Sequence, residues 1–285
     1  MRLISLILLF LLSGTVSAQK VEWYTTTQTS PWVKQKVKPE RVTTGAEIVL
    51  DPTLRLQLIM GIGGCFNEMG WDALNALSAE DREAVLQAIF SKDGACFNYC
   101  RLPMGANDFA LSFYSSADVA GDFNLVNFNI DRDRYILIPY IKAARQINPD
   151  LRIWASPWCP PAWMKTNNHY ASAVRPSGEK DVNGLLPREA ITEFSTGFRM
   201  EEGYLKTYAD YFARFIKAYE AEGLPLECIH VQNEPCSNQV FPSCKWRTED
   251  LTFFLGHYLG PTFERENIKT DTKEKWDDIK ASLSN

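Results

Sequence analysis

The chain has 285 residues, 45% of them hydrophobic, and a formal charge of −5. An acidic balance of this kind argues against a nucleic-acid partner, which needs clustered Lys and Arg to neutralise phosphates. Seven cysteines scattered over this length are too few for a disulfide scaffold, and no CxxC or paired histidine suggests a metal.

Residues 1–18 read as a secretory signal. Arg2 gives the positive start, Leu3 to Leu12 the apolar core, and Val16-Ser17-Ala18 the small-residue cleavage site. Ten apolar residues are too short to span a bilayer. The expectation is a secreted or periplasmic protein with no integral membrane association. Residues 19–56 form an N-terminal segment that includes the strand-like run Glu47-Ile48-Val49-Leu50. After the Asp51-Pro52 turn a second such run, Leu56 to Met60, enters Gly61-Ile62-Gly63-Gly64, where the backbone needs a close approach.

From there strands and helices alternate. Ser78, with Asp81 three residues on, caps a helix to about Ser91. Cys96 to Met104 is the next apolar run, followed by a long loop to about Asn129. Tyr135 to Ile147 reads as a helix with Pro139 in its first turn or kinking it. Leu151 to Ala155 is a strand, and 165–195 is a second long loop. Met200 to Ala221 is a helix burying Tyr204, Tyr208, Tyr211, Phe212, Phe215 and Tyr219, and ending at Gly223. The strand Cys228–Val231 and a helix capped by Thr248 complete the pattern.

Alternation of this kind implies parallel strands with helical crossovers. Polar and aromatic residues gather after several strand ends, which favours the (β/α)8 barrel over a doubly wound sheet. Only about four β/α units are countable, spanning a partial barrel at 57–271 before a charged tail at 272–285.

The candidate chemistry lies at those strand ends. Glu234, in Gln232-Asn233-Glu234-Pro235, has the setting of a proton donor to a glycosidic oxygen, and Asn233 could bind the adjacent sugar hydroxyl. Arg101 could orient a carboxylate, or form an ordinary ion pair. Trp158 could pack on a sugar face, whereas Trp163 reads as core. Glu68 and Asp108 could bind sugar hydroxyls, or cap the turns that follow them. Four cysteines (65, 96, 100, 228) read as core, and Cys236 with Cys244 is the best pair for a disulfide.

Four segments together resemble glycoside hydrolase family 30, the group that contains glucosylceramidases. They are Gly61 to Glu68, Arg101-Leu102-Pro103-Met104 with Asn107-Asp108-Phe109, Ala155-Ser156-Pro157-Trp158 with Pro161 to Lys165, and Gln232 to Pro235. The resemblance covers residues 40 to 271. It implies a TIM barrel with a side β-sandwich, to which the N-terminal strands contribute, and retaining hydrolysis of a β-linked glucoside or glucan without a cofactor. By position it makes Glu234 the general acid/base, Arg101 the residue near the nucleophile, and Asn233, Trp158 and Glu68 substrate-binding. The family's nucleophilic Glu belongs to the seventh barrel strand, and only 51 residues follow Glu234 here. The expectation is therefore a chain truncated before its nucleophile and inactive alone. The substrate is expected to be a glucosylceramide-like β-glucoside, with a β-1,6-glucan as the alternative and an inert or sugar-binding fragment as the other class.

Overall fold

The structure is a computed structural model that describes residues 21–38, 45, 51, 53–175 and 183–270. The signal segment, the run Glu47–Leu50 and the tail from 272 lie outside the described residues. The chain divides into two compact units, residues 1–58 and 59–285. In the first, β1 (Trp23–Thr25) pairs antiparallel with β2 (Val33–Gln35), and Tyr24 stacks on Trp32 with ring centroids 5.4 Å apart.

The second unit is built on a parallel sheet in the order β3 (Tyr99–Pro103), β4 (Arg152–Ser156), β5 (Cys228–Ile229). Tyr99 lies opposite Arg152, and Trp154 opposite Cys228. Beyond the two residues of β5, the His230 amide donates to the Ala155 carbonyl and the Asn233 amide to that of Pro157, at 2.9 and 2.8 Å. The chain is thereby led along β4 to the C-terminal edge of the sheet.

A fourth parallel segment precedes β3. Only Cys65 bridges to Arg101, yet Ile62 and Gly64 carbonyls accept from Asn98, Tyr99 and Arg101 amides, and the Phe66 amide donates to Arg101. The expected strand at Leu56–Met60 is not paired; the ladder begins at Ile62 instead. The reason is steric. A side chain at Gly63 would put its Cβ 2.1 Å from the Tyr99 carbonyl oxygen, so the backbones can meet only where the sequence is glycine.

Alternation along the strands sorts the two faces of this sheet. Cys100, Leu102, Ile153, Ala155 and Ile229 are buried in the core, which they share with residues of α2 (Ala79–Phe90), α4 (Leu137–Ile147) and α5 (Glu202–Ala221). The intervening residues Tyr99, Arg101, Trp154 and His230 line an open concavity of about 510 Å³ on the other face. Four parallel strands with helices on the convex side and, among the described residues of this unit, an open concave side are the arrangement of half a (β/α)8 barrel.

The helices follow local chemistry. Ser78 caps α2 by accepting the Asp81 amide at 3.0 Å. Pro139 resolves to the first turn of α4. Its ring excludes a helical bond to the carbonyl of Tyr135, so the expected helix begins at Leu137 rather than Tyr135, and a separate short helix, α3 (Asp131–Tyr135), precedes it. α5 ends in a Schellman motif, with Gly223 at φ +77° and the Leu224 amide on the Tyr219 carbonyl. Five of its six expected aromatic side chains are buried, and Tyr204 is half-buried. Thr248 is the first residue of α6 (Thr248–Phe254) rather than its cap, since Arg247 holds the capping position; a π turn at Leu255–Leu259 leads on to α7 (Gly260–Arg265).

None of the seven cysteines is in a disulfide. The Cys236–Cys244 disulfide is absent because the two belong to different surroundings: Cys236 is exposed, whereas Cys244 is fully buried in the core beneath Trp246 and Phe198.

Candidate active site

Arg101 organises the C-terminal edge of the sheet. Projecting from β3 on the concave side, its guanidinium donates from Nε to Ser156 Oγ at 3.0 Å and from Nη2 to Asn233 Oδ1 at 2.8 Å; Nη2 also contacts Ser156 Oγ. Its Cζ lies 4.0 Å from the Trp158 ring centroid and 4.9 Å from that of Trp154. Two indole faces and two acceptors thus fix one planar cation. Partial burial lowers the pKa of Arg101 from its ordinary value, while the fields of Cys65, Asp108 and Glu234 pull it back up.

This clamp decides the orientation of Asn233. A guanidinium has only donors, so the amide must turn its oxygen to Arg101, which leaves its NH2 free to donate. Gln232, buried just before it, donates to the Trp158 carbonyl at 2.7 Å and to the Asn233 carbonyl at 2.9 Å, while its Oε1 accepts from Trp246 at 3.3 Å. The backbone of both site segments is thereby tied to the core.

Glu234 follows at φ +46°, in the left-handed region that costs a non-glycine residue roughly 1–2 kcal/mol. The strain is held in place by the Trp246 amide on the Pro235 carbonyl at 2.7 Å and the Ser237 amide on the Glu234 carbonyl at 2.9 Å. The Glu234 side chain is exposed, and Oε2 accepts from Gln239 Nε2 at 3.0 Å.

Asp108 is brought to the same place. Asn107, buried before it, shapes the turn by accepting the Phe109 amide at 3.0 Å. Loss of water around its carboxyl raises Asp108 above the usual carboxylate range; Glu234 pushes the same way and Arg101 opposes.

Two expected site residues stand differently. Glu68 is buried at the start of α1 (Glu68–Asn75), where Arg132 donates to both of its oxygens at 2.7 Å and the Leu111 amide to one at 2.7 Å. These contacts make Glu68 the centre of an internal ion pair with Arg132. Trp158 is in the group, 6% exposed, with the Arg101 guanidinium against its ring. Trp163 is core, its Nε1 donating to the Ala117 carbonyl at 2.8 Å. Ser156, Trp154 and Gln239 were not singled out from the sequence. Ser156 and Trp154 could have been, as alternate residues of a strand whose other face is apolar; Gln239 carries no sequence signal. Among the described residues no cluster of three His, Cys, Asp or Glu is placed to hold a metal ion.

What the arrangement offers chemically is one exposed carboxyl on a strained, fixed backbone, an amide NH2 beside it, and a second carboxyl and an arginine sharing its field. Residues 59–184 match the glycosyl hydrolase family 30 TIM-barrel domain, a span that includes Glu68, Arg101, Asp108 and Trp158. The chain is 30% identical over 271 residues to putative glucosylceramidase 4 of Caenorhabditis elegans, covering 91% of this chain and 48% of that protein. Two solved structures share the fold: SrfJ from Salmonella typhimurium, with 27% identity, TM-score 0.67, and 84% of this chain and 49% of that one covered, and an endo-β1,6-glucanase, with 26% identity, TM-score 0.66, and 87% and 50% covered. The chain spans about half the length of the relatives it matches. With glucosylceramidase-like relatives and a common half-barrel fold, the chain carries a glycosyl hydrolase family 30 TIM-barrel domain over residues 59–184.

Proposed function

We propose that this chain carries the acid/base half of a secreted, retaining glycoside hydrolase that cleaves β-glucosidic bonds in the manner of glucosylceramidases. Glu234 would protonate the leaving oxygen and then deprotonate the attacking water. Asn233 would donate its free NH2 to the neighbouring sugar hydroxyl, and Asp108 would accept from hydroxyls further along the ring. The observation that carries the reading is the Arg101–Asn233 bond, because it commits the amide oxygen and leaves an NH2 donor on the residue preceding Glu234.

Retention needs a second carboxylate to attack the anomeric carbon. Arg101 supplies a cation suited to keeping such a group ionised, and the proposed nucleophile is not among the described residues. The chain by itself is accordingly proposed to bind a β-glucoside without turning it over. The likeness to an endo-β1,6-glucanase, at nearly the same TM-score as that to SrfJ, supports a β-1,6-glucan as the second substrate reading.

Titration of an aryl β-glucoside into the purified chain tests this. Quenching of tryptophan fluorescence without release of the phenol is expected. Release that disappears in Glu234→Gln would keep the role of Glu234 and overturn the inertness of the chain. If there is neither quenching nor release, the carbohydrate reading fails.

A further inference from the structure

Two loops on the C-terminal side of the sheet are locked together around one buried ammonium group. Lys165, wholly removed from solvent, donates from Nζ to the carbonyls of Tyr170 at 3.0 Å, Ala171 at 3.1 Å and Ser243 at 2.7 Å, and to Ser172 Oγ at 3.3 Å. No carboxylate is among these partners. A charge buried in this way is tolerated because carbonyl dipoles replace its water. The consequence is mechanical: the segment after β4 (residues 170–173) and the segment after β5 (residues 239–243) are held by the same group.

Gln239 stands at the junction. Its carbonyl accepts the amides of Ser172 and Ala173, at 3.0 and 2.9 Å, and its own amide donates to Ser243 Oγ at 3.2 Å. Ala171 bridges to Pro242 alongside. The backbone of Gln239 is therefore fixed from both loops, and its side chain reaches back to donate to Glu234 Oε2 at 3.0 Å. A long side chain on a free loop would make such a bond only fleetingly, since ordering it costs rotamer entropy. Here the anchored backbone has already met most of that cost.

We propose that Gln239 is a positioning residue for Glu234: its amide, set by the Lys165-locked loops, holds one carboxylate oxygen so that the other faces the concave side of the sheet. The role rests on the reading of Glu234 as proton donor and adds to it the group that aims the carboxyl.

Two measurements test the proposal, the first independent of any sugar. In the ¹⁵N-labelled chain, the Gln239 side-chain NH2 signals should move as pH crosses the carboxylate range, and the movement should vanish in Glu234→Gln. A Gln239 signal that is stationary, or that moves equally in Glu234→Gln, overturns the proposal. The second measurement uses N-bromoacetyl β-glucosylamine, whose CH2–Br carbon is attacked by a carboxylate oxygen, forming an ester as bromide leaves. Labelling of Glu234, mapped by peptide mass, should slow by about tenfold or more in Gln239→Leu with the melting temperature unchanged. An equal rate in Gln239→Leu overturns the proposal. If neither protein is labelled, the sugar reading fails and the amide titration alone upholds or overturns the contact. Should Gln239→Leu not fold, the titration does not depend on it.

Discussion

Asp133 offers the most quantitative test of the fold. It lies in α3, 1% exposed, and its two oxygens accept from the phenols of Tyr114 at 3.0 Å and Tyr219 at 2.7 Å. Burial pushes its carboxyl from 3.8 up to about 6; the two phenols draw it down, while Glu68 adds to the rise and Arg132 opposes it. The folded chain therefore holds a proton that the unfolded chain has already lost between those values. Stability from this proton is complete below the unfolded value and falls away as pH climbs to about 6. With each unit equal to 1.36 kcal/mol, the fall amounts to about 3 kcal/mol. In Asp133→Asn the amide can accept from one phenol and donate to the other oxygen, so the packing is kept and the titration removed. Urea unfolding of both proteins at half-unit steps from pH 4 to 7 isolates the effect, because all other carboxylates cancel in the difference. The variant should gain on the parent by about 2 kcal/mol across that interval, since the first part of the fall lies below pH 4. Parallel stability curves would refute the claim that a buried, ionisable Asp133 faces the two tyrosines.

The Glu68–Arg132 pair predicts a second asymmetry. Arg132→Met leaves a 2%-exposed carboxylate without its cation and should cost about 3–5 kcal/mol, most of it recovered when Glu68→Gln is added. A loss under 1 kcal/mol in urea unfolding would show that water reaches Glu68. Gly63→Ala should cost about 1–3 kcal/mol, because the new methyl meets the Tyr99 carbonyl oxygen and the segment before β3 must move away from it. A variant as stable as its parent would mean that this segment is not seated against β3.

The parts of this chain that could be read from sequence are those where one local cause fixes the outcome. The Ser78 cap, the Gly223 terminus and the glycine run at 61–64 each have a single physical reason, visible in a few residues. The parallel order followed from alternation alone. Failures arose where two causes compete over distance. Pro139 was compatible with a first-turn position or a kink, and the short helix α3 before it carried no signal that was read. For Glu68 the sequence shows the carboxylate but not its ion-pair partner, because Arg132 is 64 residues away and nothing local announces it. Cys236 and Cys244 are eight residues apart, and the core claimed one of them.

The same distinction applies within the candidate site. Asn233 and Glu234 are legible because they follow an apolar run directly, whereas the geometry that makes them useful comes from elsewhere. Arg101 turns the Asn233 amide from 132 residues away, and Lys165 reaches across 78 residues to the Ser243 carbonyl, in the loop that carries Gln239. A carboxylate and its neighbour can be recognised from type and position. Their orientation is set by donors that share no sequence neighbourhood with them. Both donors are long basic side chains with no carboxylate among their hydrogen-bond acceptors. Such a cation gains little stability from its setting and is costly to desolvate. Its placement is therefore better explained by what it orients than by what it stabilises, which is why Arg101 and Lys165 point to a site and the exposed ion pairs elsewhere on the chain do not.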